Sequence, residues 1–241
     1  GYRATGCDIN PLAVDIAKAK NEILFVDPYL LSKQIDAFIQ KLNTANVTSD
    51  YCNVFSSDTL NEMTRWFPEP VILKLGYILK RVNELTDSRI QNFLSVILSS
   101  TIRQVSQQEP TDLRIRKRKE LIENAPVFEL FITALKLQQK RLLKFAKIRH
   151  RAPNDMFVPR IYHGTSSDAS FINEIFSEPM VDVVITSPPY ATALPYIDTN
   201  RLSLLVLHGL TSSKRNPIEA KLTGTREITK KTRDYYENLI R

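Results

Sequence analysis

Hydrophobic positions along the chain keep two different periods. The run 181–185, Val-Asp-Val-Val-Ile, is short, apolar and β-branched, as expected of a buried parallel strand. It stops at Ser187-Pro188-Pro189-Tyr190. Neither proline has an N–H to give to a ladder, so the chain must leave the sheet there. Open α/β sheets hold their ligands at that carboxyl edge. A second strand and its exit loop are predicted over 2–10, with Ala4, Cys7 and Ile9 as apolar positions. Asn10-Pro11 then reads as a helix start, with Asn at the N-cap and Pro at the first helical position. Small and apolar residues at Ala13, Ile16 and Ala17 carry that helix to about residue 21. A third strand is predicted over 158–163, followed by the polar turn Gly164-Thr165-Ser166-Ser167-Asp168 and a helix over 170–176.

Between these two strand-bearing ends the period becomes that of amphipathic helices. Ile35, Phe38, Ile39 and Leu42 share one face of a helix over 32–43. Further helices are predicted over 60–66, 71–85, 90–107, 114–124 and 127–150, and after the diproline turn over 196–210 and 234–240. The expected fold class is therefore α/β: a doubly wound sheet interrupted by a large all-helical insertion. Its parts are a discontinuous core at 1–26 and 155–210, the insertion at 27–154 and a charged helical tail at 211–241.

Composition is that of a globular protein, 43% hydrophobic and 24% charged. No apolar run reaches membrane-spanning length and no secretory leader is visible. The two cysteines, Cys7 and Cys52, form no C-x-x-C pair, and His150, His163 and His208 lack ligand spacing, so no metal is expected. A cytoplasmic setting is predicted. Charge changes the picture more. Segment 111–151 holds twelve Lys and Arg against four Asp and Glu, which exceeds the net +7 of the whole chain. Arg114, Arg116, Lys117, Arg118, Lys140, Arg141 and Lys144 are the candidate contacts to a polyanion, with DNA ahead of RNA. A merely solvated helix face is the competing reading.

Thr186-Ser187-Pro188-Pro189-Tyr190 after an apolar strand resembles the catalytic motif of S-adenosylmethionine-dependent DNA amino-methyltransferases. The Ser form is typical of cytosine-N4 enzymes. Gly6-Cys7-Asp8-Ile9-Asn10-Pro11 is similar to the family's second cofactor motif, and Ser167-Asp168-Ala169 stands where the third belongs. The resemblance implies a Rossmann-like methyltransferase sheet and S-adenosylmethionine as cofactor. It assigns Asp8 to the cofactor's ribose, Asp168 to its adenine amine, and Asn10 and Thr186 to the same site. Catalysis would rest on Ser187, Pro188, Pro189 and Tyr190.

Chemistry accounts for these residue types. An exocyclic amine is a poor nucleophile because its lone pair is delocalised into the ring. Acceptors aimed at its hydrogens, here the Ser187 hydroxyl and the Pro188 carbonyl, favour the tetrahedral nitrogen. The two prolines fix their direction in advance. Tyr190 would stack on a base flipped out of the duplex. Carbon-5 methylation is excluded, because it needs a cysteine nucleophile placed after proline, and Cys7 follows Gly6 while Cys52 follows Tyr51. Asp27-Pro28-Tyr29 imitates the motif but lacks the second proline, and reads as a helix entry.

The family's glycine-rich first motif is missing, since no G-x-G occurs. It is expected upstream of Gly1, with the sheet incomplete and the chain inactive alone. Adenine-N6 DNA and guanine-N2 RNA enzymes, or an inactive nucleic-acid-binding remnant, stay open as alternatives.

Overall fold

The computed structural model describes residues 3–112, 115–149, 157–176, 181–187, 196–222 and 238. Among them the protein is mostly helical, with one small parallel sheet. Strand β1 (Thr5–Asp8) pairs with β2 (Arg160–His163) in the register Thr5↔Arg160 to Asp8↔His163. The ladder is extended by Arg160 N–H donating to the Ala4 carbonyl and Gly164 N–H to that of Asp8, each at 3.0 Å. Among the described residues between Asp8 and Arg160 the chain is mostly helical, an excursion that leaves from β1 and comes back to pair with it.

That excursion begins with α1 (Pro11–Glu22), capped as predicted: the Asn10 side chain accepts from Leu12 N–H at 3.1 Å and Pro11 opens the first turn. Helix α2 (Pro28–Asn43) starts the same way. Asp27 Oδ1 accepts from Tyr29 and Leu30 N–H, so Asp27-Pro28-Tyr29 is a helix entry, as expected. Then follow α3 (Ser57–Met63), α4 (Glu69–Asn83), α5 (Ser88–Ile102) and α6 (Val127–Arg149). Gly76 lets α4 come so near the 3-10 turn Ser49–Val54 that a Cβ would strike the Tyr51 carbonyl oxygen. Phe38, Phe67, Leu75, Ile78, Leu94, Leu98, Phe131 and Leu135 are buried in one apolar cluster built from α2, α4, α5, α6 and the turns between them.

After β2 come α7 (Ala169–Ile175), α8 (Tyr196–His208) and α9 (Ser212–Glu219). Leu202, Leu205 and Val206 of α8 join the large cluster, while Ile197 and Leu204 meet Leu12 of α1 in a second one, flanked by Ile218 and Leu222. His208 Nε2 lies 2.9 Å from Asp15 Oδ2 and ties α8 to α1. Helix α9 is held from outside: Glu62 of α3 accepts from Ser212 N–H at 2.7 Å and from its hydroxyl at 2.8 Å.

Two expectations need correction. The run 181–185 forms no ladder among the described residues. Val183, Val184 and Ile185 are 70, 79 and 92% exposed. A strand that is apolar on both faces is stable only with neighbours beside it and layers above and below, and none of the described strands lies next to it. Of the expected doubly wound sheet, the described residues hold only the β1–β2 pair. Second, the helix predicted over 114–124 is absent from residues 115–124. This stretch instead runs back along the end of α5 with one antiparallel bridge, Gln108↔Lys117. The Arg118 guanidinium explains it, donating to the Ser106 and Gln104 carbonyls at 2.9 and 2.6 Å. Carbonyls left over after the last turn of a helix draw such donors.

Candidate functional site

Both strands point their carboxyl ends at one cleft. On the β1 side, Asp8 Oδ1 accepts from Asn10 N–H at 2.7 Å, and buried Asn10 spends its own side-chain oxygen on α1. The Asp8 side chain thus shapes the turn that α1 leaves from. On the β2 side, His163 Nε2 donates to the Ile9 carbonyl at 2.9 Å and ties the two exit loops together. The chain then turns through Gly164 and Thr165 to Asp168, the N-cap of α7. The Phe171 ring of α7 lies flat against Gly164, where any Cβ would collide with it. Pro217, Ile218 and Lys221, on and just after α9, close the far wall. The cleft is open to solvent and holds about 280 Å³, just under the range of small-molecule sites.

Electrostatically the cleft is fixed on one side. Asp168 Oδ1 accepts from the Ser170 hydroxyl at 2.6 Å and from the N–H groups of Ser170 and Phe171 at 3.0 and 3.3 Å. The Ser170 hydroxyl, then the Phe171 amide, hold this carboxyl below the usual carboxylate range, with Lys221 adding a smaller pull. The Cys7 thiol beneath is pushed up by burial and then by the Asp8 charge, so it stays protonated and unreactive at neutral pH. Among the described residues no cluster of His, Cys, Asp or Glu could hold a metal ion.

Of the predicted site residues, the structure brings Asp8, Asn10 and Asp168 to this one edge. Thr186 and Ser187 are described and exposed. Pro188, Pro189 and Tyr190 lie outside the described residues, as does Arg114.

The remaining basic candidates separate into two groups. In the hairpin made where 116–118 pairs with 107–109, Arg118 is spent on carbonyls, Arg116 lies 3.4 Å from Asp112, and Lys117 Nζ sits 5.7 Å over the ring of Trp66. On α6, Lys140, Arg141 and Lys144 are exposed, with no ion-pair partner among the described residues.

Sequence reasoning missed His163, Phe171, Pro217, Ile218 and Lys221 as cleft residues. Alternation along β2 could have placed His163 at the strand end. Nothing local marks Pro217, Ile218 and Lys221, because Glu62, far away in sequence, puts α9 there.

The chain is similar to the type II methyltransferase M.MvaI of Kocuria varians, 27% identical over 212 residues. The match covers 84% of this chain and 45% of that protein, so the chain spans about half the length of the relative it matches. No family model and no solved structure matches. Among the described residues no helix is long and apolar enough to cross a membrane.

Proposed function

We propose that this chain is part of a DNA methyltransferase that moves the methyl group of S-adenosylmethionine to an exocyclic amine of a DNA base, most simply cytosine N4. The single observation that carries the reading is the similarity to M.MvaI across 84% of the chain. The sequence Thr186-Ser187-Pro188-Pro189-Tyr190 narrows it to amino-methylation.

The cleft residues suit the adenosine end of that cofactor. Phe171 against Gly164 offers a flat apolar wall for a purine. Asp168 is held ionised, and its Oδ2 takes none of the three bonds that end on Oδ1, which leaves an acceptor for an amine. Asp8, at the end of β1 next to Ile9 of the cleft wall, has Oδ1 occupied by Asn10 N–H and offers Oδ2 to ribose hydroxyls. When bound, the cofactor supplies an electrophilic methyl group on sulfur. Ser187 and the Pro188 carbonyl accept from the amine hydrogens, and Tyr190 holds the ring by stacking, typically about 1–3 kcal/mol per base. A restriction–modification role and a reducing, cytoplasmic setting belong to the same reading, and Cys7 and Cys52 are both free thiols.

The test is tritiated-methyl transfer onto DNA, run with the chain alone and with any sequence encoded before Gly1. Ser187→Ala and Tyr190→Ala should each lower transfer at least tenfold without unfolding the protein. Parent-like transfer by both would refute the assigned roles. Nucleoside analysis of the product distinguishes cytosine N4 from adenine N6.

A further inference from the structure

Helix α6 spans Val127–Arg149, roughly 35 Å at about 1.5 Å per residue. Its buried positions, Phe131, Leu135 and Ala146, face the core. At about 100° per residue, Lys136, Lys140, Lys144 and Lys147 fall within an arc of roughly 80° on the opposite side. All four are exposed, as is Arg141 beside them, and none has an ion-pair partner among the described residues. The one acid of the helix, Glu129, lies before the stripe begins. Five unneutralised cations along one rod about 16 Å long form a strong positive field, and the fold itself has no use for them.

The hairpin 107–118 makes the contrast. Its cations among the described residues are engaged: Arg118 with the end of α5, Arg116 near Asp112, Lys117 over Trp66. Sequence charge alone cannot tell these two groups apart.

We propose that the lysine stripe of α6 is the surface that lies along the phosphates of duplex DNA, while the hairpin cations hold the helical part together. The proposal rests on the DNA reading above and adds which face of which helix meets the polyanion. Three features favour a duplex. The stripe runs straight for about five base-pair rises of 3.4 Å. Lysines act as point charges for phosphate rather than as readers of base edges. The one exposed aromatic on α6 among the described residues, Phe145, lies about 100° around the helix from Lys144, so the stripe offers no row of stacking rings for a single strand. An anionic membrane is disfavoured because Val127, Phe131 and Leu135 of α6 are spent on the core, leaving Leu137 and Phe145 as its exposed large apolar side chains among the described residues, too few for an insertion face.

The experiment is anisotropy of a labelled 20-base-pair duplex of arbitrary sequence, without cofactor, from 50 to 200 mM salt. Five phosphate contacts give a log–log slope of about −4.5, or roughly a 500-fold loss of affinity over that range. Lys136→Gln/Lys140→Gln/Lys144→Gln should reduce this to about tenfold. Lys20→Gln/Lys41→Gln/Lys214→Gln removes equal charge from other exposed helix positions and should keep the parent slope. Arg118→Gln should lower the melting temperature and leave the slope alone. Circular dichroism checks that each variant is folded. An unchanged slope in the first triple variant, an equal change in the second, or capture by phosphatidylserine vesicles in place of DNA would each overturn the proposal. Because no methyl transfer is measured, its failure is separate from failure of the enzymatic reading.

Discussion

Arg201 allows a prediction that opposes ordinary substitution rules. It sits on α8, 6% exposed, with its guanidinium carbon 3.9 Å from the centre of the Trp66 ring and Nη2 donating to Gln108 Oε1 at 2.9 Å. Its Nε has no acceptor. Burial, then the neighbouring Arg215 charge, pushes the pKa of this guanidinium down to about 10, well below the ordinary arginine value. It remains a cation at neutral pH, and that depression corresponds to roughly 3 kcal/mol against the charged form. Opposing it are a desolvated cation–π contact of about 2 kcal/mol and a charge-assisted hydrogen bond of about 1.5–3 kcal/mol. Arg201→Met gives up both contacts, relieves the burial cost and keeps a long apolar side chain. The contacts exceed the burial cost by about 0.5–2 kcal/mol, so a loss of about that size is expected, towards the upper end because buried Gln108 loses its donor. Arg201→Lys keeps the burial cost, but an ammonium cannot match the planar stack and the bond to Gln108 together, so about 2–3 kcal/mol should go. Denaturant unfolding followed by the fluorescence of Trp66, the one tryptophan of the chain, reads both stability and the site itself. If lysine proves the milder replacement, the balance drawn here between desolvation and contact energy is wrong.

Two further predictions concern the cleft. Gly164→Ala should drive Phe171 off the loop, cost about 1–3 kcal/mol of overpacking and weaken adenosine binding by calorimetry. Phe171→Leu in the same chain should restore part of the stability. Asp168, whose carboxyl is depressed by Ser170 and Phe171, stabilises the start of α7 at every pH above its unfolded value. That contribution is lost as pH falls through the lower folded value. The protection of the Ser170 and Phe171 amides relative to their intrinsic exchange rates should therefore fall in acid, and Asp168→Asn, which keeps an acceptor but no charge, should remove that pH dependence.

Much of the helical organisation was legible along the chain because its causes are local. Asn10-Pro11 and Asp27-Pro28 start helices by capping and by a fixed φ, and Ile35, Phe38, Ile39 and Leu42 mark a buried face by spacing alone. Strands expected over 2–10 and 158–163 are present as β1 and β2, while their pairing with each other came from the tertiary structure. Residues 115–124 are not helical as their spacing suggests, because charge and amphipathic spacing look the same in a helix and in a strap tied down by one arginine. The run 181–185 was misread because a strand exists only through its neighbours, and neighbours are not written into five residues.

By itself the sequence determined the chemistry on offer: two acids after short strands, a diproline turn with a hydroxyl, and a positive segment in the middle. Those depend on residue identity and local backbone preference. Tertiary structure alone decided which of them meet. It placed α9 as the wall of the Asp168 cleft through Glu62, and it divided the positive segment into engaged and open cations. The physical reason is that a long-range hydrogen bond or a buried arginine depends on where distant carbonyls and carboxylates end up, and only the packed core settles that.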